Sequence, residues 1–185
     1  MAEPTRAAPF HFGAESLRQQ ATCHPFLRDI GDLVLRRHDF KWVEGLRSPE
    51  RQHACFTAVP RTSQQPGFNA DGTMANYPHR KRADGWCWAA DWYPLLNGRL
   101  IDARRTGVNP VETAQFARFL GIVEFEARAY FAARQRRLGD PKWALRLGVD
   151  WDMDGEILSD QTFHDWPHVE LVRVVGWPTV NAEAA

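Results

Sequence analysis

Two histidines and two groups of carboxylates carry the chemical potential of this chain. The segment Asp165-Trp166-Pro167-His168-Val169-Glu170-Leu171 sets a carboxylate three residues ahead of a histidine that opens a strand-like run. Alone, such a histidine is more often a hydrogen-bonded structural residue than a ligand. Upstream, however, stand a second histidine and another carboxylate, His79 and Asp91. Hydrolytic zinc takes three nitrogen or oxygen ligands from the protein and leaves a fourth position for water, so two imidazoles and one carboxylate are a suitable set. A second acidic group, Asp150, Asp152 and Asp154 followed by Gly155, has the spacing of the first half of a calcium loop. The second half fails, because Gln161 stands where a bidentate Glu is expected. Weak Ca2+ binding is one reading of this segment and a solvated acidic loop is the other.

Such residues need elements to position them. Phe26, Leu27, Ile30, Leu33 and Val34 form an amphipathic helical stripe. Phe40-Lys41-Trp42-Val43 alternates as a strand and runs into Glu44-Gly45-Leu46-Arg47, after which Ser48-Pro49 supplies an N-cap and a proline suited to the first helical position. Arg47 is therefore expected where a strand hands over to a helix. Residues 57–77 are rich in Pro, Gly, Ser, Gln and Asn and follow neither period, and a loop of that length is usually functional, which makes it a lid candidate. Residues 86–92 read as a short strand with Cys87, Ala89 and Asp91 on one face and Trp86, Trp88, Ala90 and Trp92 on the other. Asn109-Pro110-Val111-Glu112 opens the longest expected helix, which ends near Leu138-Gly139. An apolar piece around Leu145 and a strand over residues 169–175 follow.

The 185 residues suit one domain, in which folding buries roughly 70% of the surface the unfolded chain exposes. We divide them into a loose N-terminal arm (1–15), a catalytic domain (16–178) and a polar tail (179–185). The 23 basic residues balance the 23 acidic ones, and neither half is a basic arm, which argues against a nucleic-acid partner held by phosphate neutralisation. No apolar run approaches the ~18 residues of a membrane span. The N-terminus lacks the apolar core of a signal peptide, so synthesis in the cytoplasm is expected. Three widely spaced cysteines, Cys23, Cys55 and Cys87, suit free thiols. Eight tryptophans are the outlying count.

Three blocks stand out in order: Val43-Glu44-Gly45-Leu46-Arg47-Ser48-Pro49-Glu50-Arg51-Gln52; His79 with Ala89-Ala90-Asp91-Trp92-Tyr93-Pro94; and Gly148-Val149-Asp150-Trp151 with Asp165 to Leu171. In these blocks, which span nearly the whole chain, it resembles the zinc peptidoglycan peptidases. That family includes D-alanyl-D-alanine carboxypeptidases and dipeptidases and the L-alanyl-D-glutamate endopeptidases of bacteriophage endolysins. The resemblance implies an α+β fold, with a small antiparallel sheet, helices packed on one side and a zinc site at the sheet. It implies Zn2+ held by His79, Asp91 and His168, with Asp165 as general base. It also implies an Arg47 that anchors a substrate carboxylate or the oxyanion. The plainer alternatives are a turn cap for Asp165 and pairing with Glu44 or Glu50 for Arg47. Glu170 is expected to support the site from the next pleat and Gln52 to pack beside it. Trp88 and Trp166 are candidates for walling the cleft and stacking on the wall polymer.

The chain departs from the family pattern at one point. Eleven residues separate His79 from Asp91, more than the family's usual spacing, and the position that spacing points to holds Asp84. Either the loop after His79 carries an insertion or Asp84 replaces the histidine. We favour His79, because imidazole is the better zinc ligand. Tyr77 stands where the family usually has Ser, and Cys87 shares the Asp91 face. The implied substrate is the peptide stem of bacterial peptidoglycan, reached by a monomeric lysin after release from the cytoplasm. An L-alanyl-D-glutamate endopeptidase is the first reading and a D-alanyl-D-alanine carboxypeptidase the second. A reading of a different class is a Trp-rich wall-binding module with structural zinc.

Overall fold

The three longer helices begin where side chains satisfy the first free N–H groups. In the computed structural model, which describes residues 10–59, 62–101, 109–139, 143–155 and 164–174, helix α1 spans Ala14–Gln20 and α2 Pro25–Leu35. Strand β1 is Phe40–Glu44, helix α3 Pro49–Thr57, strand β2 Ala89–Leu96 and strand β3 Arg99–Leu100. Helix α4 is Pro110–Leu138, strand β4 Trp143–Leu147 and strand β5 His168–Arg173. Each of α2, α3 and α4 opens on a proline behind a capping side chain. His24 accepts from the Phe26 N–H, Ser48 from Arg51, and Asn109 from both Val111 and Glu112. Gly139, at φ 61°, closes α4 in the left-handed conformation that glycine adopts without strain.

The strands form an antiparallel sheet in the order β1-β2-β5-β4, with β3 paired to the far end of β2. Register decides what each face carries. Trp42 lies opposite Trp92, Ala90 opposite Val169, and Val169 opposite Leu147, so one face is apolar. Helices α2 and α4 cover that face: Gly31 meets the Trp42 ring, and Phe119 packs 5.4 Å from Phe40. The alternating positions put Asp91 opposite His168 and Ala89 opposite Glu170 on the other face. Helix α3 stands on this second side, where Gln52 reaches Arg47.

Helix α1 covers the sheet edge. Ser16 Oγ accepts from Trp42 N–H, Gln19 Oε1 from Gly45 N–H and Thr22 Oγ1 from Leu46 N–H, which satisfies donors an edge strand would otherwise expose. This corrects the expected arm. Of residues 1–15, only 1–9 lie outside the described residues; Phe12 packs 5.0 Å from Phe40, and α1 already begins at Ala14. The expected strand over residues 86–92 also shifts. It starts at Ala89 and continues to Leu96, because residues 82–86 close a turn through Arg82 N–H to Trp86 O and Gly85 N–H to Arg82 O. Strand β5 ends at Arg173, and the tail at 179–185 lies outside the described residues. The α+β class, small antiparallel sheet and helix layer are as expected.

Gly31 tests the packing of α2 on the sheet. A Cβ there would fall 2.7 Å from the Trp42 ring. Alanine normally favours a helix over glycine by about 1 kcal/mol. We expect Gly31→Ala to lose about 1–3 kcal/mol in urea unfolding all the same, because a rigid indole cannot yield; unchanged or increased stability would contradict this packing.

Candidate functional site

His79, Asp91 and His168 converge from three segments. Asp91 projects from β2 and His168 from the first position of β5, while His79 ends the long loop after α3. The loop is fixed at its end: Arg47 N–H donates to His79 O at 2.9 Å, and Tyr77 OH donates to Arg47 O at 3.0 Å. The His79 ring is oriented by Gly45, whose carbonyl lies 2.7 Å from Nδ1 and takes its proton, leaving Nε2 to face the cluster. Gly45 must be glycine, since a Cβ there would lie 2.6 Å from Thr22 Oγ1 and 2.7 Å from Gln19 O.

The three facing atoms form a compact triangle. His79 Nε2 and Asp91 Oδ1 are 3.2 Å apart, His168 Nδ1 and Asp91 Oδ1 3.4 Å, and the two nitrogens 3.2 Å. Ligands about 2.0–2.2 Å from a tetrahedral zinc stand about 3.3–3.5 Å from one another, so this triangle fits one face of such a site. Asp91 Oδ1 is buried without a hydrogen-bond partner, while Oδ2 accepts from Arg47 Nη2 at 3.0 Å. One oxygen is thus pinned and the other points at the imidazoles.

A β-bulge brings the pinning residues together. Trp42 pairs with Trp92, but the next pair is Glu44 with Asp91, so Val43 is an extra residue on β1. The slip turns Glu44 toward Asp91. Arg47 bridges the two, with Nη2 also 2.7 Å from Glu44 Oε2, and Nη1 donates to Gln52 Oε1 at 2.8 Å. Of the roles left open for Arg47, pairing is realised, with Glu44 and Asp91 and not with Glu50. Behind His168, Glu170 Oε2 lies 4.0 Å from Nε2, and Glu170 is itself held by Arg146, whose Nε donates to Oε1 at 2.7 Å.

Burial and proximity set the protonation states. Burial opposes the charged form of His79, yet the attraction of the Asp91 negative charge outweighs it and pushes the imidazole up to about 10. Burial would raise Asp91, but the two histidines and Arg47 hold it well below the usual carboxylate range. Burial would raise Glu170, but the attraction of His168 and of the hydrogen-bonded Arg146 outweighs it and lowers the carboxyl to about 2. The field that draws protons onto these imidazoles equally favours a cation among the same lone pairs.

Asp165 behaves differently. Burial, reinforced by the negative charge of Asp91, raises its carboxyl to about 6, which suits proton exchange near neutrality. Its backbone closes the turn before β5, with Asp165 N–H donating to Gly148 O and His168 N–H to Asp165 O, both at 2.9 Å. Gly148 fits against that turn, where a Cβ would fall 2.3 Å from Asp165 O and 2.9 Å from His168 Cβ.

A cleft of about 240 Å³ opens over the cluster, lined by Arg47, Gln52, Ser63, Gln64, Gln65, Pro78, Trp151, Asp165 and the two histidines. The loop expected as a lid supplies one wall, and Gln52 ties it down through Ser63 Oγ at 2.6 Å and Gln65 O at 2.7 Å. The tryptophan expectations need correction. Trp88 packs 4.9 Å from Trp143 and bonds Asp84 through its indole N–H, and Trp166 is buried 5.6 Å from Phe116. Both side chains belong to the apolar packing and neither lines the cleft. Trp151, stacked 5.1 Å from His168, does line it.

Asp84 is excluded from the ligand group. Its carboxylate serves Trp88 Nε1 at 2.8 Å and Trp86 N–H at 3.1 Å, and of the two candidates His79 is the residue that joins the cluster. Cys87 is buried with Sγ 3.1 Å from Ala89 O, outside the triangle. In the acidic loop, Asp150, Asp152 and Asp154 can each bring an oxygen within 4.8 Å of the others. Gly155 N–H donates to Asp150 Oδ2 at 3.3 Å, and Gln161 lies outside the described residues. Glu44, expected only as a partner for Arg47, is also turned toward Asp91, and of the tryptophans near the candidate ligands in sequence it is Trp151 that lines the cleft. A bulge is invisible in an alternating pattern, but Trp151, directly after the Gly148 block, had a local signal.

No protein-family model matches the chain, and no curated protein does. Among solved structures, the crystal structure of the Serratia marcescens L-Ala D-Glu endopeptidase ChiX is similar, with a TM-score of 0.54 over 90% of this chain and 92% of that one, at 21% sequence identity. That likeness carries the fold.

The raised imidazole gives a signed pH dependence for the protein stripped of metal. A histidine lifted from an unfolded value of about 6.5 to about 10 contributes stability that is complete below the first value and lost as pH rises through the second. The melting temperature of chelator-treated protein should therefore fall between these pH values, and zinc-loaded protein should lose that dependence. Chelated protein that gains stability across the window would contradict the assignment.

Proposed function

We propose that this chain is a zinc-dependent peptidoglycan hydrolase that cleaves the peptide stem, with the L-alanyl-D-glutamate bond as its target. The observation that carries the reading is the His79, Asp91 and His168 triangle, of tetrahedral-zinc dimensions, at the floor of a cleft that also holds Asp165. Bound there, Zn2+ supplies an activated water near neutral pH and a polarised scissile carbonyl.

The protein's own residues do the rest. Gly45 O keeps His79 in the tautomer that leaves Nε2 unprotonated toward the cleft, and Arg47 fixes the Asp91 carboxylate by its second oxygen. Asp165 accepts the proton of the attacking water and returns it to the leaving amine. Trp151 walls the cleft beside His168 and shields the reacting groups from bulk water.

Two features favour an endopeptidase over a carboxypeptidase. Among the described residues lining the cleft the cationic side chain is Arg47, which already bridges Glu44 and Asp91, whereas a carboxypeptidase must pair a terminal carboxylate. The similar structure is described as an L-Ala D-Glu endopeptidase. A wall-binding module with structural zinc fits less well, because structural sites take four protein ligands, and among the described residues three converge here. The reading includes action as a monomer on the cell wall after release from the cytoplasm, and weak Ca2+ binding at Asp150, Asp152 and Asp154. Among the described residues no helix is long and apolar enough to cross a membrane.

Asp165→Asn should keep zinc and fold while lowering kcat/KM on purified peptidoglycan about 10²–10⁴-fold, the usual contribution of a general base. Undiminished hydrolysis would remove Asp165 from the reaction. Mass spectrometry of the digest should find new amino termini on D-glutamate. Released D-alanine would transfer the reading to the carboxypeptidase.

A further inference from the structure

One buried pair of nucleophilic side chains has no part in this chemistry. Cys23, in the turn between α1 and α2, and Cys87, two residues ahead of β2, are both fully buried. They are β-bridge partners, flanked by Cys87 N–H to Thr22 O at 3.1 Å and His24 N–H to Cys87 O at 2.8 Å. Paired backbones lie about 4.8 Å apart, inside the Cα separation of about 4.4–6.8 Å that a disulfide spans. The side chains point the same way: Cys23 Sγ lies 3.5 Å and Cys87 Sγ 3.1 Å from one oxygen, the Ala89 carbonyl. Cys55, in α3, is outside this pair.

We propose that Cys23 and Cys87 are a disulfide site, closed when the protein meets an oxidising disulfide carrier such as oxidised glutathione or a dithiol oxidoreductase. The sulfur of one cysteine attacks the carrier disulfide, forms a mixed disulfide and releases one carrier thiol. The second cysteine then displaces the remaining carrier sulfur. The Cys23–Cys87 bond forms, both cysteines give up their protons, and the carrier is reduced by two electrons to two thiols. Because both sulfurs are buried, the exchange proceeds through local opening of the turn at Cys23 or during folding.

The bond would lie beneath the ligand set. Gly45, whose carbonyl orients His79, sits directly over Cys23, since a Cβ on it would come 2.8 Å from Sγ. Cys87 leads into the strand that carries Asp91. A disulfide would therefore couple the support of His79 to the entry of β2 and stiffen both. The expectation that the bond closes outside the reducing cytoplasm rests on the proposed action at the cell wall; the chemistry of the pair does not.

The test needs no lytic assay. Zinc-loaded protein is refolded from urea in an oxidising glutathione buffer, alkylated and mapped by mass spectrometry, with a thiol-reduced sample alongside. We expect one alkylated cysteine, Cys55, and a cross-linked peptide holding Cys23 and Cys87. We also expect a melting temperature several degrees above the reduced form and a several-fold slower loss of zinc to chelator. Cys23→Ala and Cys87→Ala should each abolish both differences, and Cys55→Ala should keep them. Three alkylated cysteines after oxidative refolding, or a cross-link that includes Cys55, would overturn the proposal.

Discussion

Asp91 is a carboxylate only 13% exposed, and its two oxygens are committed in different directions. Oδ2 accepts from Arg47, and Oδ1 lies within 3.4 Å of a nitrogen on each of two buried imidazoles. A buried charge is tolerated where opposite charge and hydrogen bonds replace its water, and removing one partner of such a pair typically costs about 3–5 kcal/mol. The surrounding structure can be understood as what keeps this carboxylate compensated yet directed. Arg47 is held by Glu44 and Gln52, and Gln52 holds the loop that ends in His79. Through these bonds Asp91, the cleft and the long loop are tied together.

Backbone irregularities do much of the aiming. The extra residue at Val43 turns Glu44 into the site, and Gly45 and Gly148 let neighbouring chain approach closer than any side chain would permit. The regular part of the sheet contributes a different constraint. Its two-residue period sends the tryptophans and aliphatic residues under α2 and α4 and sends Asp91 and His168 to the opposite side, so the aromatic core supports the site without lining it.

Much of this was legible in the sequence, for identifiable reasons. The helix starts at Ser48-Pro49 and Asn109-Pro110 are local chemistry, and they form where the caps indicate. Alternation placed Asp91 on the face away from Trp92, and that is where it meets His168. Spacing left His79 and Asp84 both open, and the fold brings His79 beside Asp91 and His168 while Asp84 turns to Trp86 and Trp88. What could not be read is tertiary in origin. Phe12 belongs to the core because β1 is an edge strand that α1 covers, and no pattern in residues 10–15 encodes that. Trp88 and Trp166 were expected at the cleft because they neighbour the candidate ligands in sequence, but in a strand or a tight turn the adjacent residue points elsewhere. Whether a tryptophan such as Trp151 reaches the site depends on the turn that carries it.

The central claim is that the Asp91-centred triangle is a zinc site. The most direct measurement is a crystal structure of protein purified without added metal, with diffraction collected on either side of the zinc absorption edge. The account predicts a single anomalous peak within bonding distance of His79 Nε2, His168 Nδ1 and Asp91 Oδ1, at an occupancy matching one zinc per chain in elemental analysis of the same sample. Protein that hydrolyses peptidoglycan at its full rate with no zinc in either measurement, or with its zinc bound elsewhere, would contradict it.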